Sequence, residues 1–208
     1  MYYTVIYRYA EIYEANLKDA LKKLSILDKM STNEFNTIDI SDYSAEESQS
    51  LFNLYRDIQN ASWTGIVFIA LAIEAYINFI GVNIIGYEAY HKSYERLPTA
   101  TKLDKILRMK TGSEFCKSTE YWIKFDKLFK KRNEIVHPKT KSIPVEKVKS
   151  GDVNIFFEIE ADLVFIKEYE DFVYMFIYYV DSLIGEDYIK VAQEESAAEF
   201  LKALDAIF

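Results

Sequence analysis

Thr64 to Tyr87 most restricts how this chain folds, because it is a long, mostly apolar run that carries Glu74 near its middle, followed by Asn78 and Asn83. Its length alone would let it span a bilayer, for which about 20 apolar residues suffice. A carboxylate at the centre of a lipid layer is expensive, however. The run is therefore expected as a core helix wrapped in protein, with Glu74 paired or hydrogen-bonded. The second apolar run, Phe172 to Val180, lies between Asp171 and Asp181 and is too short to span. No membrane association is expected.

The 208 residues are half hydrophobic and include only 6 glycines and 3 prolines, a balance that favours long continuous elements over turn-rich sandwiches. Ile6, Tyr9, Tyr13, Leu17, Leu21, Leu24 and Leu27 recur at helical steps, predicting an amphipathic helix to about Lys29. Tyr2 to Tyr7 is open to either helix or extended chain. Ser31 to Asp42 reads as a polar linker. Ser44-Ala45-Glu46-Glu47 has the form of a capping box and should start a helix over about 45–60, with Ser62 capping a second one over about 62–85.

Beyond Pro98, Thr101 to Asp104 should open a short helix ending near Met109. A longer one follows over about 118–136, with Tyr121, Trp122, Phe125, Leu128, Phe129 and Ile135 on its apolar side. Pro138 should stop it, because the residue before a proline is pushed out of the α region. Ser142 and Pro144 suit a brief helical turn. Val153 to Ile159 fits a short extended segment or the lead-in to a long aromatic helix over about 161–184. Glu186 to Ile207 reads as a last, acidic helix. The expected fold is all-α: an antiparallel bundle of four core helices spanning residues 44–184. An N-terminal helix and linker (1–43) and an acidic C-terminal helix (185–208) would pack outside it.

Cys116 is the single cysteine, so no internal disulfide and no cysteine-based zinc site is expected. Together with the lack of an apolar or arginine-rich leader, this points to a cytoplasmic setting. The net charge is −8, but residues 121–150 carry +6 and residues 181–208 carry −5. A basic face on an acidic body attracts a polyanion locally; the plain alternative is a solvated helix face.

The glycines form neither a dinucleotide fingerprint nor a phosphate loop, and no serine-nucleophile elbow is present. With two histidines and one cysteine, no metal or other cofactor is expected. What remains is Arg132-Asn133-Glu134-Ile135-Val136-His137-Pro138. Histidine gives and takes protons near neutral pH, and arginine is a permanent forked ligand for phosphate. Together they suit metal-free cleavage of RNA, with histidine handling a proton and arginine stabilising charge on the phosphate oxygens. Five residues apart on a helix lie about 140° from each other. Convergence therefore needs Pro138 to take His137 off the helical lattice. The plain alternative is a histidine favoured by the helix C-terminus beside a solvated arginine. His91, among Tyr90, Lys92 and Tyr94 near Pro98, reads as part of an exposed loop.

This motif, at the end of a long helix in an expected bundle, resembles the R-x(4–6)-H signature of the HEPN superfamily in its R-N-x-x-x-H form. Ile73 to Asn78, an apolar helix segment with an embedded glutamate, resembles the preceding helix of many members. The similarity covers about 44–184. It implies an up-and-down four-helix bundle and a homodimer in which two motifs form a metal-independent endoribonuclease site. It also implies a role as a toxin or antiviral defence component, with an antitoxin or nucleotidyltransferase-type protein as a possible partner. Arg132 would then stabilise phosphate, His137 would handle the proton, and Asn133 would be their polar companion. Glu74 would either take part or hold Arg132 in place. Lys124, Lys127, Lys130, Lys131 and Lys139 would meet the RNA backbone. A non-catalytic binding and dimerisation module of the same kind is the second reading, and a helical scaffold without a polyanion ligand is the third.

Overall fold

From Ala45 to Ile85 the chain is one uninterrupted helix, α2. It begins directly after Ser44, where the capping box places its start. Ser62 does not cap a second helix. Its buried hydroxyl donates back to the carbonyl oxygen of Ile58 at 2.9 Å, which satisfies the group inside the helix. Over Phe52–Ile85 the helix is long and apolar enough to cross a membrane, yet Ile66, Ile69, Ala72, Ile73, Ile77 and Ile80 are buried inside the protein.

The computed structural model describes residues 2–30, 44–137, 162, 164–169, 171–188, 190, 191, 193 and 194. Helices take up 84% of the residues that can be interpreted, with no strand, so the fold among the described residues is all-α. Besides α2, the helices are α1 (Tyr2–Met30), α3 (Tyr87–Ser93), α4 (Thr99–Thr111), α5 (Glu120–Val136) and α6 (Phe172–Ile184). Tyr2 to Tyr7 is helical. α4 begins at Thr99, just after Pro98, and ends at Gly112, whose φ of 78° takes the left-handed cap conformation that glycine adopts without strain. α5 stops at Val136, as Pro138 requires. The long aromatic helix expected over 161–184 is interrupted, with turns at Glu168, Tyr169 and Asp171 before α6 starts at Phe172. The expected linker at 31–42, the turn at Ser142 and Pro144, the segment 153–159 and the end of the acidic helix lie outside the described residues.

Two compact units emerge, and they do not follow chain order. One comprises residues 1–11, 68–131 and 171–208; the other comprises 12–67 and 132–170. In the first, α4 packs on α6, and α5 runs antiparallel to α6 through a ladder of rings. Tyr121 stacks on Tyr179 with centroids 4.1 Å apart, and Phe125 stacks on Phe176 at 5.3 Å. In the second, Tyr13, Ile58, Ile66, Phe165 and Ile166 are buried. There the indole of Trp63 donates to the buried Asp162 carboxylate at 2.6 Å.

Gly81 shows how closely the first unit is packed. A Cβ there would overlap the ring edge of Tyr90, 2.9 Å from Cδ2, and lie 3.0 Å from Ile106 Cδ1. The Tyr90 ring cannot swing away cheaply, because its hydroxyl donates to Asn78 Oδ1 at 2.6 Å. Gly81→Ala gains about 1 kcal/mol of helix propensity but overpacks a core, which costs about 1–3 kcal/mol. The net expectation is a loss of about 1 kcal/mol, read from the urea midpoint.

Three tyrosines link stability to alkaline pH. Burial, and then the Asp181 carboxylate that accepts its proton, hold the Tyr76 phenol well above its ordinary value. Burial and Glu186 push Tyr188 up to about 12, and burial followed by Glu168 raises Tyr169 as well. The unfolded chain releases these protons near pH 10, where the folded chain keeps them. The contribution is therefore complete below about pH 10 and is lost as pH rises above it. Melting temperatures measured from pH 9 to 11.5 should fall above pH 10, and less steeply in Tyr76→Phe.

Candidate functional site

The helical register of α5 decides what the motif can do. Arg132 and Asn133 lie in its last turn, and His137 follows directly after Val136. The backbone amide of His137 still donates to the Asn133 carbonyl at 2.9 Å. His137 thus sits at a bend just past α5, tied to its last turn through the backbone. Arg132 is half-buried and His137 is exposed.

The guanidinium is oriented locally. Arg132 Nη1 donates to Asn133 Oδ1 at 2.9 Å, whereas Arg132 Nε is buried with no hydrogen-bond partner among the described residues. An unmet buried donor costs about 1–3 kcal/mol, so an anion able to reach it gains what the folded chain forgoes. Asn133 thus acts as a companion to the arginine, holding one arm of the fork while its own backbone carbonyl holds His137.

The lysines expected to meet RNA are partly committed. Lys124 pairs with Glu120 at 3.1 Å and Lys130 with Asp126 at 2.6 Å, each one helical turn away. Lys127 is exposed and Lys131 half-buried, while Lys139 lies outside the described residues. Exposed pairs of this kind contribute only about 0.3–0.5 kcal/mol and are easily exchanged for phosphate.

Glu74 finds a different cation from the Arg132 that its helix suggested. Its Oε1 lies 3.6 Å from Nζ of Lys102 on α4, whose side chain is only 3% exposed. Lys102 also donates to Asn78 Oδ1 at 2.9 Å, the atom that accepts from Tyr90. Glu74, Asn78, Tyr90 and Lys102 thus tie α2, α3 and α4 together, an architectural role for the glutamate. A signal for Lys102 was present in the sequence. It falls on the same helical stripe as Leu103, Ile106 and Leu107, all of them buried. Glu74→Gln should cost about 3 kcal/mol by leaving a buried ammonium without its carboxylate. Lys102→Met should cost less, because Glu74 keeps access to water. Their combination with a matched apolar pair should recover much of the loss in a urea-denaturation cycle.

His91 is not in a loop but on α3, with Nδ1 3.0 Å from Glu95. Among the described residues no group of three or more histidine, cysteine, aspartate or glutamate side chains is arranged to hold a metal ion. Comparisons of the chain with protein-family models, with curated proteins and with solved structures returned no match.

Proposed function

We propose that the chain is a metal-independent endoribonuclease of HEPN type, built as a HEPN-like four-helix bundle and acting in the cytoplasm as a toxin or antiviral defence component. Two copies would share the reaction. Transesterification needs both a general acid and a general base, and each chain offers one motif histidine. His137 transfers protons at the 2′-hydroxyl and the leaving oxygen, and Arg132 stabilises charge on the phosphate. An antitoxin or a nucleotidyltransferase-type protein is the partner expected to restrain it.

The observation that carries this reading is the arrangement at the end of α5, with the Arg132 guanidinium held by Asn133, its Nε unmet, and His137 exposed a few residues on. The single motif histidine of each chain favours a site shared by two chains over a site within one. The arrangement at the end of α5 equally favours the second reading, a non-catalytic HEPN-like module in which Arg132 binds nucleotide, RNA or a protein partner.

Purified protein incubated with mixed cellular RNA in EDTA separates the two. Cleavage leaving 2′,3′-cyclic phosphate ends supports the nuclease. Salt-sensitive binding without turnover, weakened by Arg132→Ala, supports the module.

A further inference from the structure

Ile85 ends α2, and Gly86, with φ 88° and ψ 146°, redirects the chain in a conformation only glycine adopts easily. α3 follows, and its rings run from the buried Tyr90 out to the exposed Tyr87. Tyr87, 63% exposed, packs on His91 with centroids 4.2 Å apart. His91 meets Tyr90 edge-on at 5.9 Å, and Tyr90 stacks on Tyr94 at 6.1 Å. Lys105 Nζ lies 5.8 Å from the centre of the Tyr94 ring. The Glu95 carboxylate, 3.0 Å from Nδ1, holds the imidazole in place, so Tyr87 rests on a fixed ring.

One exposed tyrosine needs no explanation; its surroundings do. Arg96 and Lys105 are exposed and close no salt bridge among the described residues, Arg96 acting on Glu95 only at longer range, whereas Lys102, Arg108, Lys110 and Lys117 are each paired. The acids of 87–96 are Glu88 and the Glu95 already committed to His91. Aromatic faces beside unpaired cations are the combination that binds single-stranded nucleic acid, bases on the rings and phosphates on the cations. A lipid surface would also suit tyrosines and lysines at the end of an apolar helix, but the apolar residues of α2 are largely buried within the protein.

We propose that α3 and the Lys105 turn of α4 form a stacking platform for single-stranded RNA, with a base on the open face of Tyr87 and backbone phosphates on Arg96 and Lys105. This rests on the reading of the chain as RNA-directed and adds to it a substrate form, single strand over duplex. The platform is separate in sequence from the Arg132–His137 motif and can be tested apart from it.

The probe is a labelled 2′-O-methyl RNA of about 12 nucleotides, within the usual site size, which lacks the 2′-hydroxyl needed for cleavage. It is titrated as single strand and as duplex by fluorescence anisotropy, alongside phosphatidylserine vesicles. Single strand should bind more tightly than duplex. Tyr87→Ala should weaken binding about tenfold or more with the salt dependence unchanged and the melting temperature retained. Arg96→Ala with Lys105→Ala should instead reduce the slope of log affinity against log salt by about 1.4. Equal affinity for duplex, binding to vesicles alone, or no effect of Tyr87→Ala overturns the platform. Cleavage of natural RNA with Tyr87→Ala binding normally removes the platform and leaves the nuclease. Weakened binding in Tyr87→Ala with no cleavage of natural RNA by wild type keeps the platform and removes the nuclease.

Discussion

His137→Ala is expected to slow RNA cleavage about a hundred- to ten-thousand-fold, the usual contribution of a positioned general acid or base, with the melting temperature unchanged. The two halves of that expectation have separate physical grounds. His137 is exposed beyond the last residue of α5, and surface substitutions away from special features shift stability by about 0.5 kcal/mol or less. Its amide bond to Asn133 is a backbone contact that alanine preserves. Arg132→Ala should behave differently, because the half-buried guanidinium has packing to lose as well as charge. Arg132→Lys should not rescue activity, since an ammonium cannot hold Asn133 and a phosphate in the same planar fork. Rates on mixed RNA in EDTA, with thermal melts of each variant, check both halves. A His137→Ala protein that cleaves at the wild-type rate would remove the histidine from the reaction.

Phe176→Ala is expected to cost about 3–5 kcal/mol, the usual loss for deleting a buried phenyl ring. Phe176 is fully buried and central to its unit. Phe125 stacks on it at 5.3 Å, Phe172 leans on it at 5.6 Å and Phe115 lies parallel at 6.1 Å. These neighbours come from three separated parts of the chain, so no local rearrangement closes the hole left by the ring. Against a typical net stability of about 5–15 kcal/mol, the variant keeps little margin. Tyr178, two residues on and 77% exposed, is the control, and its alanine variant should be near neutral. Urea midpoints with an unchanged slope test the comparison. A loss below about 1 kcal/mol in Phe176→Ala would mean that the ring cluster is not the core of this unit.

Much of the secondary structure was legible because its signals are local. The start of α2 after Ser44 and the end of α5 before Pro138 each follow from one or two residues acting on their own backbone, whereas α4 runs from Thr99 to Thr111, beyond both ends expected for it. The motif Arg132-Asn133-x-x-x-His137 was legible as residue types. The direction of its side chains was not, because His137 lies just past the last helical residue, where the register of α5 no longer dictates it. Ser62 illustrates the same limit. A serine hydroxyl can cap a new helix or bond back within a continuing one. The two differ by about 1 kcal/mol locally, so burial of the whole segment decides.

The amino-acid sequence by itself determined an all-α chain, the long apolar helix through Glu74 and the placing of the motif at a helix end, since periodicity, caps and proline act within a few residues. Only the tertiary structure decided that Glu74 takes Lys102 and that Trp63 reaches Asp162. Those outcomes depend on which parts of the chain become neighbours; periodicity can mark Lys102 as buried, but spacing along the chain does not say which carboxylate it meets.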